Sequence, residues 1–140
     1  MTGPLEGVKV LDLTSVLLGP YATQIMGDLG ADVIKIESPA GDTTRQTGVE
    51  RNPGMASFFL IANRNKRSLV LDLKKEAAKE ALWRLIDTAD VFIHAIRPKA
   101  IRRLGFGPEA VLARNPRIVY AGVHGFKEDG PYDNRPAYDD

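Results

Sequence analysis

The chain has 140 residues, 19 basic and 18 acidic side chains for a formal net charge of +1, and a composition 44% hydrophobic and 26% charged. That length suits one domain, and that composition is too apolar for a disordered chain and ordinary for a folded one. No apolar run approaches the roughly 18–20 residues that cross a bilayer. Met1 to Gly7 has no basic residue and no apolar block of signal-peptide type. The lack of cysteine excludes disulfides, a thiolate nucleophile and cysteine-ligated metal, and His94 and His124 are too few for a His-rich metal site. A cytoplasmic protein is the expectation.

In chain order, Val8 to Leu13 reads as a strand from its β-branched run, and Gly19-Pro20 as a turn. Tyr21 to Leu29 reads as a helix, with Ala22, Ile25, Met26 and Leu29 at i, i+3, i+4, i+7 spacing and Gly30 as its stop. Asp32 to Glu37 is a second strand, which completes a βαβ unit. Residues 38–57 carry loop chemistry in Ser38-Pro39-Ala40-Gly41-Asp42 and Asn52-Pro53-Gly54, and a structureless stretch of that length is functional or mobile. Phe58 to Ile61 fits either a strand or a buried helical turn. A polar turn at residues 63–67 leads into a strand over Ser68–Leu73. Glu76 to Thr88 is a helix with Ala78, Leu82, Leu85 and Ile86 on its apolar side. Asp90 to His94 is a strand. Short helices follow over Lys99–Leu104, closed by Gly105, and over Pro108–Asn115, and the last strand is Arg117–Val123. Residues 124–140 have loop composition. Alternating strands and helices indicate an α/β fold: an open, mostly parallel, Rossmann-like sheet of about five strands with helices on both faces. The domain is expected over 1–123, with 124–140 as a loop leaving it.

Charge is unevenly spread. Residues 64–103 hold eleven basic and five acidic side chains, a surplus of six, while the rest of the chain holds eight against thirteen. A local cationic field in a near-neutral protein suits a small polyanion better than a long nucleic acid. Solvated surface charge is the competing explanation.

In open α/β sheets, ligands bind beyond the carboxyl ends of the strands. Lys74 and Lys75 follow the third strand, Arg97, Lys99, Arg102 and Arg103 the fourth, and His124-Gly125 the fifth. Parallel strands would bring these groups to one edge, where arginine offers bidentate phosphate contacts and lysine a point charge. Basic charge at a helix start opposes the helix dipole, so Lys74 and Lys75 favour a functional reason over a solvated helix start. Gly19-Pro20 is either a tight turn or the start of an anion-binding helix N-terminus. His124 is either a loop residue bonded at the surface or a catalyst. Neither Gly-x-Gly-x-x-Gly nor Gly-x-x-x-x-Gly-Lys-Ser/Thr occurs, which argues against a nicotinamide oxidoreductase and a nucleoside triphosphatase. No Ser/His/Asp set assembles. Asp12, inside an apolar strand, is expected to pair with a nearby donor. The residues alone therefore describe a phosphate-cofactor-binding α/β domain without a visible catalytic residue.

The order of several motifs carries more. Leu5-Glu6-Gly7-Val8-Lys9-Val10-Leu11-Asp12-Leu13-Thr14, Gly19-Pro20, residues 29–37, Asn65-Lys66-Arg67-Ser68-Leu69, Leu71-Asp72-Leu73-Lys74, Arg103-Leu104-Gly105, residues 115–120 and Gly130-Pro131-Tyr132 stand in sequence across nearly the whole chain. This series resembles the N-terminal portion of the class III CoA-transferases, a family that includes formyl-CoA transferase, carnitine CoA-transferase and α-methylacyl-CoA racemase. The resemblance implies the CoA-binding part of a longer enzyme, a fragment of an interlocked-dimer fold. It implies acyl-CoA and a small carboxylic acid as partners, no metal, no nucleic acid and no membrane.

By the same resemblance, CoA contacts fall on Val16, Leu17 and Leu18, Ser38, Leu71, Asp72, Leu73 and Lys74, Ala95, Ile96 and Arg97, Arg103, and His124, Gly125, Phe126 and Lys127. The family transfers CoA through an anhydride on an aspartate, which is covalent catalysis by a carboxylate. That aspartate is expected beyond Asp140, so no catalytic residue is assigned and the chain alone is expected to be inactive. Three departures from the family pattern stand out. Ser38 replaces an arginine, for which Arg45 is the candidate substitute. Ala95 replaces an asparagine. Tyr138 stands where the racemase branch has its catalytic histidine, which favours a transferase over a racemase relative. A binding or interaction module without chemistry of its own is the alternative.

Overall fold

The structure is a computed structural model that describes residues 3–133, 135 and 137. Tyr138, on which the racemase comparison turns, lies outside the described residues.

Five strands form one all-parallel sheet: β1 (Lys9–Leu13), β2 (Asp32–Glu37), β3 (Lys66–Val70), β4 (Val91–His94) and β5 (Val119–Gly122), in the order β3-β2-β1-β4-β5. The chain starts in the middle, builds outward to β3, then returns across β1 to add β4 and β5. The crossover makes the gap between the carboxyl ends of β1 and β4 a topological switch point, where such sheets place ligands. The helices are α1 (Leu18–Asp28), α2 (Ser57–Asn63), α3 (Glu76–Ile86), α4 (Pro98–Leu104) and α5 (Pro108–Arg114).

Side chains alternate across the sheet, so each strand serves two layers. Leu11, Leu13, Ile36 and Phe92 face α3, α4 and α5, and pack with Leu82, Ile86, Ile101, Phe106 and Val111 into the main core. On the opposite face Val10, Val33 and Ile93 make a smaller cluster with Ala31, against which Met26 of α1 packs. The register pairs Asp12 with Lys35 on that second face, which puts two charges in the interior beside it.

Three expectations shift. The turn at Gly19-Pro20 is the first turn of α1, because proline is tolerated where a helix N–H has no intrahelical partner. Glycine is needed there, since a Cβ on Gly19 would sit 2.4 Å from the Thr14 side chain. The helical stripe faces outward: Ala22, Ile25 and Leu29 are exposed, and the buried residues of α1 are Gly19, Pro20, Thr23 and Gln24. Its inner side meets charge rather than core, so polar residues fill it.

Residues 38–57 are ordered. Asp42 caps a 3-10 turn over Thr43–Gln46, Glu50 and Ala56 form an isolated bridge, and Phe58 to Ile61 belong to α2. The third strand lies two residues earlier at its start and three earlier at its end than the apolar run indicated. After Leu71 N–H bonds the Glu37 carbonyl at 2.8 Å, Asp72 turns the chain by accepting from the Lys74 and Lys75 N–H groups. Leu71 and Leu73 therefore leave the sheet.

Elsewhere the boundaries agree closely. Pro98 begins α4, and Gly105 ends it with a left-handed backbone (φ 95°) that a side chain would strain.

Candidate functional site

A cavity of about 350 Å³ lies beyond the carboxyl ends of β1, β2 and β3, with Ile96 after β4 and Leu104 of α4 closing its side. Its apolar lining is Leu13, Ile36, Leu71, Leu73, Ile96 and Leu104. Ser15, Ser38, Asp72 and Lys74 add polar atoms. A mainly apolar pocket with a few polar groups is the usual form of a small-molecule site.

The cations of residues 64–103 divide into two groups. Lys66, Arg64, Arg67, Lys79, Arg84, Lys99 and Arg102 each pair with a carboxylate. Among the described residues, Lys74, Lys75, Arg97 and Arg103 make no ion pair, and all four are exposed. Lys74 lines the cavity, while Arg97 and Arg103 adjoin its lining residues Ile96 and Leu104 in sequence.

Beneath the cavity floor the charges are satisfied. Asp12 is fully buried and accepts from Lys66 Nζ at 2.9 Å, Thr23 Oγ1 at 2.6 Å, Thr14 N at 2.9 Å and the Thr14 hydroxyl. Burial alone would raise its pKa, but Lys66, Lys35 and the two hydroxyls hold the carboxyl below its ordinary value. Lys66 also donates to the Pro20 carbonyl and to Asn63 Oδ1. Asp12 therefore joins β1, α1, α2 and β3, as the pairing expectation required.

Arg45 does not stand in for the missing arginine at Ser38. Its guanidinium is bidentate to Glu37, at 2.8 and 2.6 Å, donates to the Gly54 carbonyl, and lies 3.9 Å from the centre of the Phe59 ring. It anchors the 38–57 loop instead. Burial pushes the Glu37 carboxyl up, but the Arg45 and Asp42 N–H bonds outweigh that and keep it below the usual range.

The residues named from the sequence are partly gathered. Ser38, Leu71, Asp72, Leu73, Lys74 and Ile96 line one cavity. Arg97 lines a second, of about 370 Å³, with Lys99, Arg102, Glu128, Asp129 and Asp133. Val16, Leu17 and Leu18 form the exposed turn after Ser15, and Ala95 and Arg103 line neither cavity. His124, Gly125, Phe126 and Lys127 are exposed and line neither. His124 packs over Gly122, 5.4 Å from the His94 ring.

Several cavity-lining residues were not named from the sequence. Thr14, Ser15 and Leu104 stand beside named positions, so a wider window after each strand would have included them. His94 is buried at the end of β4; its Nδ1 accepts from Ile96 N–H, and its Nε2 has no partner among the described residues. Burial, with His124 nearby, lowers its pKa to about 4, so it is neutral at physiological pH. Among the described residues no group of three His, Asp or Glu side chains could hold a metal ion, and no helix is long and apolar enough to cross a membrane.

The parallel sheet thus presents an apolar cavity beyond its carboxyl edge, with Lys74 in the lining and Arg97 and Arg103 adjoining lining residues in sequence. Comparison with known proteins supplies the class. The model of CoA-transferase family III matches residues 5–140, and the chain belongs to that family. It is 44% identical over 138 residues to the probable fatty acyl-CoA transferase Rv3272 of Mycobacterium tuberculosis, an alignment covering 97% of this chain and 35% of that protein. It is 45% identical over 139 residues to the formyl-CoA:oxalate CoA-transferase of Streptomyces avermitilis, covering 99% and 34%. The crystal structure of a CAIB/BAIF family protein from Brucella suis superimposes with a TM-score of 0.92 at 40% identity, covering 99% of this chain and 38% of that one. The chain thus spans about a third of the length of the relatives it matches.

Proposed function

We propose that this chain is the CoA-binding part of an enzyme that moves CoA between carboxylic acids. The observation that carries the reading is the apolar cavity at the switch edge with Lys74 in its lining, exposed and without an ion pair among the described residues, and with Arg97 and Arg103 next in sequence to lining residues. In this reading the adenine sits against Leu13, Ile36, Leu71 and Leu73, and the cations meet the phosphates. Small-ligand pockets run to about 300–1,000 Å³. The cavity therefore takes the nucleotide end of CoA, while the pantetheine arm runs past Ala95, Ile96 and Arg97 toward Val16 to Leu18 and His124 to Lys127.

The chemistry proposed for the whole enzyme is covalent. An aspartate carboxylate attacks the acyl-CoA carbonyl and the CoA thiolate leaves, forming a mixed anhydride. The thiolate then attacks the aspartyl carbonyl of that anhydride, releasing the donor carboxylate and leaving an aspartyl-CoA thioester. The acceptor carboxylate attacks this thioester and expels the thiolate. Thiolate attack on the acceptor carbonyl of the second anhydride gives the new acyl-CoA and frees the aspartate. That aspartate belongs to the two thirds of the family's length that these residues do not span. Here the chain's own part is to bind and orient CoA. The buried carboxylates of Asp12, Glu37 and Asp42 are all engaged by cations, and none is available as a nucleophile. That engagement also favours the second reading, a CoA-binding module without chemistry.

Calorimetric titration with CoA tests the binding, with saturable uptake weakened by salt expected. A protein that takes up no CoA overturns it. Transfer of CoA from an acyl-CoA to free oxalate by the purified protein would exclude the non-catalytic module.

An assembly is part of the proposal. Leu18, Tyr21, Ile25 and Leu29 of the α1 stripe, with Leu60 and Ile61 of α2, leave a large apolar surface uncovered. A homodimer or larger assembly is expected to cover it, and light scattering that shows a stable monomer contradicts this.

A further inference from the structure

Three described residues other than glycine have a left-handed backbone: Asn65, Asp129 and Val16. Asparagine and aspartate tolerate that region, but a β-branched residue at φ 68° is strained. The turn from β1 to α1 must be held there, and it is tethered twice immediately before the strained φ. The Thr14 carbonyl accepts from Lys35 Nζ at 3.0 Å, and Val16 N–H donates to Asp42 Oδ1 at 3.3 Å.

Both tethers are ends of one ion pair. Lys35 Nζ lies 3.0 Å from Asp42 Oδ2, with the two side chains 2% and 1% exposed. Asp42 is itself fixed: Oδ1 accepts from the Thr44 N–H and hydroxyl, and its own N–H donates to Glu37. Lys35 sits in β2 opposite Asp12 and lines neither cavity. Buried ion pairs bring little net stability, so the role of this one is sought in specifying one conformation.

We propose that Lys35 and Asp42 form a positioning clamp that holds Val16 in its strained backbone and so sets residues 14–18 against the rim of the apolar cavity. Ligand affinity then depends on a lysine that touches no ligand. The affinity readout rests on the CoA reading given above; the backbone readout does not.

Lys35→Met with Asp42→Ala removes both charges and both tethers together. The pair is removed in the unaltered protein and in a Val16→Gly background, where the left-handed backbone is no longer strained. CoA affinity is followed by calorimetry and exchange of the Val16 amide by NMR. In the unaltered background the removal is expected to weaken affinity about tenfold, equivalent to about 1.4 kcal/mol, and to speed amide exchange. In the Val16→Gly background the same removal is expected to cost no more than about twofold.

Equal losses in the two backgrounds, or no loss in either, overturn the clamp. If the unaltered protein binds no CoA, the functional reading fails and the exchange measurement alone decides: unchanged Val16 protection after removal overturns the clamp. Val16→Gly by itself gives an independent check if the double variant fails to fold. Relief of strain keeps or raises the melting temperature, and a marked fall shows that Val16 was not strained.

Discussion

The two sides of the sheet's carboxyl edge handle charge in opposite ways. On the α1 and α2 side, Asp12, Lys35, Glu37, Asp42, Arg45 and Lys66 are tied to one another and to backbone groups under the surface. On the α3 and α4 side, Lys74, Lys75, Arg97 and Arg103 are exposed and make no ion pair among the described residues, and Lys74 lines the apolar cavity. Burying a charge is tolerable only when it is paired, so the first group serves architecture. The second group is solvated, and in the proposed function it meets the phosphates of CoA. Charge of the same sign thus means different things on either side of one sheet.

The largest expected effect breaks the closed side. Asp12→Ala leaves Lys66 buried without its partner and should lower unfolding stability by about 3–5 kcal/mol in a denaturant titration. A loss under about 1 kcal/mol would mean that the network matters less than its burial indicates.

Acid should act on both sides in sequence. The His94 pKa is depressed to about 4 from an ordinary 6.5, so the unfolded chain binds the proton more readily. Stability present above pH 6.5 is then lost as pH falls toward about 4, by about 1–3 kcal/mol. The depressed carboxyls of Asp12, Glu37 and Asp42 extend that loss to lower pH, as each gives up its charge. His94→Phe should flatten the slope between pH 6.5 and about 4 and leave the more acid portion intact.

On the open side, Lys74→Ala should reduce CoA affinity by about 1.5–3 kcal/mol, the range of a hydrogen bond to a charged group, with stability changed by under about 0.5 kcal/mol. Such a separation of affinity from stability is what the closed side should not show. The smallest effect belongs to Arg84, whose pair with Glu80 is solvated along α3. Arg84→Ala should leave a thermal melt unchanged within error.

Much of this architecture was legible before any coordinates. Strands with β-branched runs and helices bounded by proline or glycine emerged near their observed limits, because local periodicity and backbone preference decide them. The αβ alternation gave the parallel sheet. Position along β3 was less legible: Leu71 and Leu73 continue its apolar pattern but serve the cavity, and periodicity cannot tell a core from a pocket. The spacing of the α1 stripe predicted the helix but not which way its apolar face turns. Apolar spacing identifies a coherent face, not what covers it, and Thr23 turns inward because Asp12 needs its hydroxyl. Arg45 was misplaced because the 26-residue separation of Val16 from Asp42, and the fold of the loop between Glu37 and Phe59, are long-range facts. One signal was available for the buried network: Lys35 and Asp12 are charged residues inside otherwise apolar strands.

Calorimetric titration of CoA into the unaltered protein and into the Lys74→Ala variant most directly tests the central claim that the open edge is a CoA site. The account predicts saturable binding by the first and about tenfold or greater weakening in the second. Absence of binding by the unaltered protein, or equal affinity in the two, would contradict it.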